Sequence, residues 1–337
     1  MRPSSFKRFA LAAALAAATF TTLPTHAITY NGLVIFGDSL SDSGNNALLL
    51  APGTTPDSAI TSNFFVPTYT YTAASPYPFG VYSDGPVWAT YFASALGLSA
   101  APALAEGGGT NFAFGGAQTG YDDPGTTPSL YSQVGLFLDG TGGVAPGSFL
   151  YVVAGGGNDA RAALTSIAGG ADPFATIGAT SYQYATNVGN IVDKLQAAGA
   201  QHIVVWNTPN LGTAPAVLGQ GPAVSSLATG LASAMNAALD LRLGSETGVT
   251  TFDLFGSVAG AIADPAAYGL SNVTDACVLG ECDRSSYLFW DGIHPSARGH
   301  EILAQAMYAQ VVPEPETYLL FAVGLAALAW RSRRRAG

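Results

Sequence analysis

Four short apolar runs do most to limit what this chain can fold into. Leu33-Val34-Ile35-Phe36, Phe149 to Ala154, His202 to Trp206 and Val249 to Phe252 each stop abruptly at small or polar residues. The stops are Gly37-Asp38, Gly155-Gly156-Gly157-Asn158-Asp159, Asn207-Thr208-Pro209 and Asp253. Runs this short and rich in Val, Ile and Phe read as strands. The stretches 86–96, 181–198 and 223–243 carry helical spacing, the second closed by Gly199 as a C-cap. Strands alternating with helices predict a mainly parallel sheet covered on both faces, a three-layer α/β/α sandwich. Ligands in such sheets gather at the carboxyl ends of the strands, so the residues after each run are where chemistry is expected.

A last helix is signalled by Pro295, followed by Ile302, Leu303, Ala306 and Met307 at three- and four-residue spacing. The stretches 51–78 and 120–146 show no clear period and read as long loops near the site. No internal repeat stands out.

The two ends have the character of targeting segments. Arg2, Lys7 and Arg8 precede an apolar run from Phe9 to Phe20, and Thr25 and Ala27 suit a signal peptidase, so residues 1–27 read as a secretory signal peptide. At the other end Val312-Pro313-Glu314-Pro315-Glu316 leads into an apolar stretch, Tyr318 to Trp330, and then Arg331, Arg333, Arg334 and Arg335. Residues 313–337 resemble the PEP-CTERM sorting tail of Gram-negative bacteria. That resemblance implies export, transient or permanent anchoring in the inner membrane with the basic end cytoplasmic, and a sorting peptidase as partner. Between the ends lies one expected domain, 28–312. The formal net charge of -10, with no basic cluster in the middle of the chain, excludes a nucleic-acid partner. The two cysteines, Cys277 and Cys282, lie five residues apart in a chain bound for an oxidising compartment, which predicts a local disulfide.

Acyl transfer needs an activated hydroxyl, a base, a group that orients the base, and donors where negative charge develops. Ser39 directly follows the first strand. Beyond the signal segment only three histidines remain, His202, His294 and His300. His202 opens a strand and reads as structural; His300 lies on the last helix and reads as a surface or packing residue. His294 follows Asp291 by three residues, so one short loop can hold both, the carboxylate on one ring nitrogen and Ser39 at the other. Asp291, His294 and His300 have no standard metal-ligand spacing, so neither a metal nor a cofactor is expected.

Gly37-Asp38-Ser39-Leu40, Asn111-Phe112-Ala113-Phe114-Gly115-Gly116-Ala117, Gly156-Gly157-Asn158-Asp159 and Asp291-Gly292-Ile293-His294-Pro295 follow one another in the order of the blocks of SGNH/GDSL hydrolases. The chain resembles that family. Gly85-Pro86-Val87-Trp88 and Asn207 to Gly212 are similar to its phospholipase/hemolysin-like and plant-type branch. The resemblance implies a flavodoxin-like fold and carboxylic ester hydrolysis through an acyl-serine intermediate. It assigns Ser39, Asp291 and His294 as catalytic. It also assigns the oxyanion donors to the backbone N–H groups of Ser39 and Gly116 and the side chain of Asn158, with Gly115 the neighbour that invites misassignment. Asp38 and Asp42 read as supports of the Ser39 loop. A polysaccharide O-deacetylase or an acyltransferase would use the same residues, and a catalytically silent envelope or biofilm protein would share the export signals. The loop aromatics Phe64, Phe65, Tyr69, Tyr71, Tyr77 and Phe79 could form an acyl site, stack on sugars or simply pack.

Overall fold

A computed structural model describes residues 29–50, 64–66, 69–71, 80–120, 122, 127–279, 282–312 and 324. The signal-peptide reading of 1–27 and the tail reading of 313–337, residue 324 apart, fall outside the described residues. Among those described, the elements in chain order are β1 (Gly32–Gly37), α1 (Asn45–Leu50), β2 (Phe64–Val66), β3 (Tyr69–Tyr71), α2 (Trp88–Ala95), α3 (Leu130–Gly140) and β4 (Phe149–Ala154). They continue with α4 (Gly157–Ala168), α5 (Pro173–Ala197), β5 (His202–Trp206), α6 (Pro215–Leu218), α7 (Pro222–Leu243), β6 (Val249–Phe252), α8 (Leu254–Ala263), β7 (Asn272–Ala276), β8 (Tyr287–Phe289) and α9 (Ala297–Val311).

The four apolar runs are the four strands of one parallel sheet in the order β1-β4-β5-β6. Leu33 lies opposite Leu150, Tyr151 opposite Ile203, and Ile203 opposite Val249. Beside the free edge of β1 runs a fifth extended strip: Thr110 O accepts from Ile35 N–H at 3.0 Å, and the N–H groups of Phe112 and Phe114 donate to Ile35 O and Gly37 O at 2.7 and 3.1 Å. The chain therefore leaves β1 toward one neighbour and returns to pair on the other side with β4. That reversal opens a crevice at the carboxyl end of β1.

Strand alternation sends Val34, Phe36, Tyr151, Val153, Ile203 and Val205 to one face, where they form a core with α3, α5 and α7. On the other face Trp88 of α2 packs over Trp206, ring centroids 4.2 Å apart. The chain is thus an α/β/α sandwich.

Three expectations are corrected. The stretch 120–146 is not all loop: Leu130, Val134 and Phe137 lie buried on one face of α3, whose first turn is capped by Ser129 accepting from Ser132 N–H. The helix expected over 181–198 begins at Pro173, because Asp172 caps it by accepting from Ala175 N–H at 2.8 Å and proline suits the first turn. Its leading turns are largely exposed and lack an apolar stripe, so no helical period marks them in the sequence. The stretch 51–78 contains a short antiparallel pair, β2 with β3. The side chains of Phe64, Phe65, Tyr69 and Tyr71, and all of Tyr77 and Phe79, lie outside the described residues. Cys277 and Cys282 are disulfide-bonded in the loop between β7 and β8, Cα atoms 5.5 Å apart.

Candidate active site

Ser39 sits in the turn that leaves β1. Asp38 shapes this turn: its backbone oxygen accepts from the N–H groups of Ser41 and Asp42, each at 3.0 Å, and its carboxylate from Leu40 N–H at 3.0 Å. The end of the strand is held from the side by Gln133, which accepts from Gly37 N–H and donates to Gly37 O, both at 2.8 Å. Gly37 must be glycine, since a Cβ there would lie 2.8 Å from Ala154 O and from the Ser41 hydroxyl.

The second component is the turn between β8 and α9. Asp291 Oδ1 accepts from the backbone N–H groups of Ile293 and His294 at 2.8 and 2.7 Å, which fixes the carboxylate before it meets the ring. Asp291 Oδ2 is 2.7 Å from His294 Nδ1, and His294 Nε2 is 2.9 Å from Ser39 Oγ. A carboxylate on Nδ1 keeps the proton there, leaving the Nε2 lone pair to accept the serine O–H. Asp291 and His294 are both 1% exposed, so this polar chain works in a low-dielectric setting. The Tyr82 ring packs against the imidazole with centroids 5.3 Å apart. Ser83 donates to Pro295 O at 3.0 Å and Asp84 accepts from Ala297 N–H at 2.7 Å, tying the turn to residues more than 200 positions earlier.

Asn158 lies in the first turn of α4, after Gly156 at φ +113°. It is buried and donates one amide hydrogen to Ala117 O at 2.9 Å, leaving the other for a ligand. Gly116, at φ +87°, ends the strip beside β1. Among the described residues the backbone N–H groups of Ser39 and Gly116 donate no hydrogen bond, whereas Gly115 N–H is taken by Asp42 Oδ2 at 3.0 Å. Asp42 also accepts from the N–H groups of Gly44, Asn45 and Asn46. Asn46 in turn donates to Tyr82 Oη and Gly115 O at 2.6 and 3.0 Å. Asp42 is therefore a hub that binds the Ser39 loop to the glycine strip. Burial raises Asp38 to about 6 against the Leu40 N–H and His294, and raises Asp42 to about 6 against its four amide donors.

A cleft of about 720 Å³, open mouth included, starts at Ser39, Asn158 and His294. Its walls are mainly apolar, with Leu211, Leu254, Val258, Phe289, Ile293 and Leu303 prominent, and Arg161, Asn210 and Thr213 also line it. Asp38 borders it; Gly116, Asp42 and Asp291 do not. His202 is remote in role: it stands half-buried at the start of β5, edge-on to Tyr30 at 5.5 Å. His300 is not at the surface but fully buried, and neither ring nitrogen has a partner among the described residues. Burial holds it neutral, its pKa lowered to about 3. Among the described residues no group of three His, Cys, Asp or Glu side chains could hold a metal ion. Sequence reasoning missed Gln133, Tyr82, Ser83, Asp84 and the α8 wall; only the Tyr82-Ser83-Asp84 run carried a signal, standing directly before the Gly85-Pro86 block.

The family model described as GDSL-like Lipase/Acylhydrolase matches residues 33–307, and the PEP-CTERM protein-sorting motif matches residues 311–335. The chain is 29% identical to the esterase EstA of Pseudomonas aeruginosa over 92% of its own length and 51% of that protein. A Pseudomonas putida protein, also named esterase EstA, is similar to the same extent. The chain thus spans about half the length of these curated relatives. It is 28% identical to the GDSL esterase/lipase At1g73610 of Arabidopsis thaliana, covering 82% of this chain and 88% of that one. The sorting motif implies export in a Gram-negative bacterium. No helix among the described residues is long and apolar enough to cross a membrane.

Proposed function

Since the chain belongs to the GDSL-like lipase/acylhydrolase family, we propose that it is an exported serine esterase that hydrolyses carboxylic esters through an acyl-serine intermediate. The observation that carries this reading is the buried line from Asp291 through His294 to Ser39, with contacts of 2.7 and 2.9 Å, opening into a cleft at the switch point of a parallel sheet.

His294 Nε2 takes the Ser39 proton as Oγ attacks the ester carbonyl, and Asp291 stabilises the imidazolium that forms. The oxyanion is met by the Ser39 and Gly116 N–H groups and the second amide hydrogen of Asn158. These donors are already placed, so no reorganisation is needed when the charge appears. The imidazolium then returns its proton to the departing alcohol. Water, deprotonated by His294, releases the acid. The Tyr82 ring and the Asp42 hub hold base and donors in register. No step calls on a cofactor. We place the reaction outside the cytoplasm, with the tail at 313–337 tethering the protein to the inner membrane until a sorting peptidase acts.

The test is reaction of the full-length chain with a fluorophosphonate probe and with p-nitrophenyl esters, beside Ser39→Ala. Labelling and turnover in the parent, both absent from the folded variant, are expected. A folded parent that neither labels nor turns over any ester would refute the reading and leave a silent envelope protein.

A further inference from the structure

We propose that the apolar cleft between α8 and α9 holds the acyl chain of the substrate, and that Val258 sets how long a chain is accepted. The proposal rests on the ester-hydrolase reading above and deepens it.

Arg161, Asn210 and Thr213 also border the cleft, but the part of its lining built by α8, β8 and α9 is apolar. Away from Ser39 its floor follows α8 past Leu254 and Val258, with Phe289 and Leu303 facing them. Beyond lies a second space of about 280 Å³ that shares Val258, Phe289, Pro295 and Leu303 with the first and ends on Ala261 and Ile302. Leu254, Val258 and Ala261 stand at helical spacings of four and three, so they make a continuous stripe about 10 Å long on one side of α8. That is the reach of an extended chain of roughly eight carbons. Of the four residues common to both spaces, Val258 is the one on α8.

No charged side chain lines the inner space, and its one hydroxyl, Ser257, already donates to Asp253 O at 2.7 Å. A sugar ring driven in would lose its water without gaining partners, whereas methylenes gain about fourfold in binding for each one buried. The inner space lies beyond the cleft and does not touch Ser39, Asn158 or His294, which favours the acyl chain over the alcohol. The alcohol must leave before water can attack, while the acyl group stays through both steps.

Ethyl octanoate and octyl acetate have the same formula with the long chain on opposite sides of the carbonyl, so they separate these two placements. Acid release by the full-length chain is followed at constant pH for both, and for ethyl acetate. We expect kcat/KM for ethyl octanoate to exceed the other two by tenfold or more. In Val258→Trp the octanoate-to-acetate ratio of the ethyl esters should fall at least tenfold. Val258→Thr, which keeps the volume and adds a hydroxyl, should lower it about threefold or more, and serves if the tryptophan variant fails to fold. A parent that prefers octyl acetate or ethyl acetate overturns the proposal, as does a ratio unchanged in the folded variants. Hydrolysis of no ester at all overturns the esterase reading together with it.

Discussion

His300 makes the stability of this protein depend on acidity in a way that one substitution should remove. The ring is fully buried on α9, facing the titratable groups Asp291 and His294, and its pKa falls from 6.5 to about 3 because burial opposes the charged form. The unfolded chain takes up a proton below about 6.5 while the folded chain does not until about 3, so unfolding gains protons and stability drops as pH falls between these limits. At about 1.4 kcal/mol per pH unit, going from pH 7 to pH 4 costs about 3 kcal/mol through this residue alone. Asp38 and Asp42, raised to about 6, contribute the opposite slope, losing stability as pH rises from 3.8 to about 6. They are common to parent and variant, so a difference measurement cancels them. His300→Leu fills similar space and removes two unpartnered ring nitrogens, so at pH 7 it should match or exceed the parent by about 1 kcal/mol. Urea unfolding of both proteins at pH 7 and pH 4 gives the result, with the variant's advantage growing by about 3 kcal/mol on acidification. Parallel pH curves would refute the reasoning.

Two further outcomes follow from the site. Asn158→Ala should lower kcat by about 100- to 1000-fold with little change in KM, because on the proposed mechanism the lost donor meets charge that exists only in the transition state; a rise in KM alone would assign Asn158 to substrate binding. Gly115→Ala would put a Cβ 2.2 Å from the Tyr82 ring, and the displaced ring is the one packed on His294. Thermal unfolding should show a loss of about 1–3 kcal/mol, with kcat falling as well, and a variant as stable and active as the parent would show that Tyr82 does not hold the base.

The sheet was legible because β1 and β4 are buried apolar runs, β5 is apolar after His202, and the half-exposed β6 is still β-branched or aromatic, each ending at turn residues. Phe149–Ala154, His202–Trp206 and Val249–Phe252 coincide with the expected runs, and β1 extends one residue further at each end. Helix α8 was hidden for the opposite reason. Leu254–Ala263 is Gly- and Ala-rich and apolar nearly all round, so no stripe separates a buried from an exposed side. Gly135 within α3 likewise broke a pattern only eleven residues long. At the candidate site, Ser39, Asp291 and His294 could be named because each lies in a short motif bordering a strand or helix. Their supports could not: Gln133 on Gly37, Tyr82 on His294 and Val258 in the cleft are neighbours made by the fold, with no local signal of their own.

The hydrogen bond between Ser39 and His294 joins positions 255 residues apart. Every product of synthesis that stops before position 294 carries the Ser39 hydroxyl without the imidazole. Closing so long a loop comes only with assembly of the whole sandwich. On the proposed mechanism, nascent chains that stop short of position 294 would be inactive, and a rise of esterase activity during refolding would report the moment the segment carrying His294 docks on the Ser39 loop.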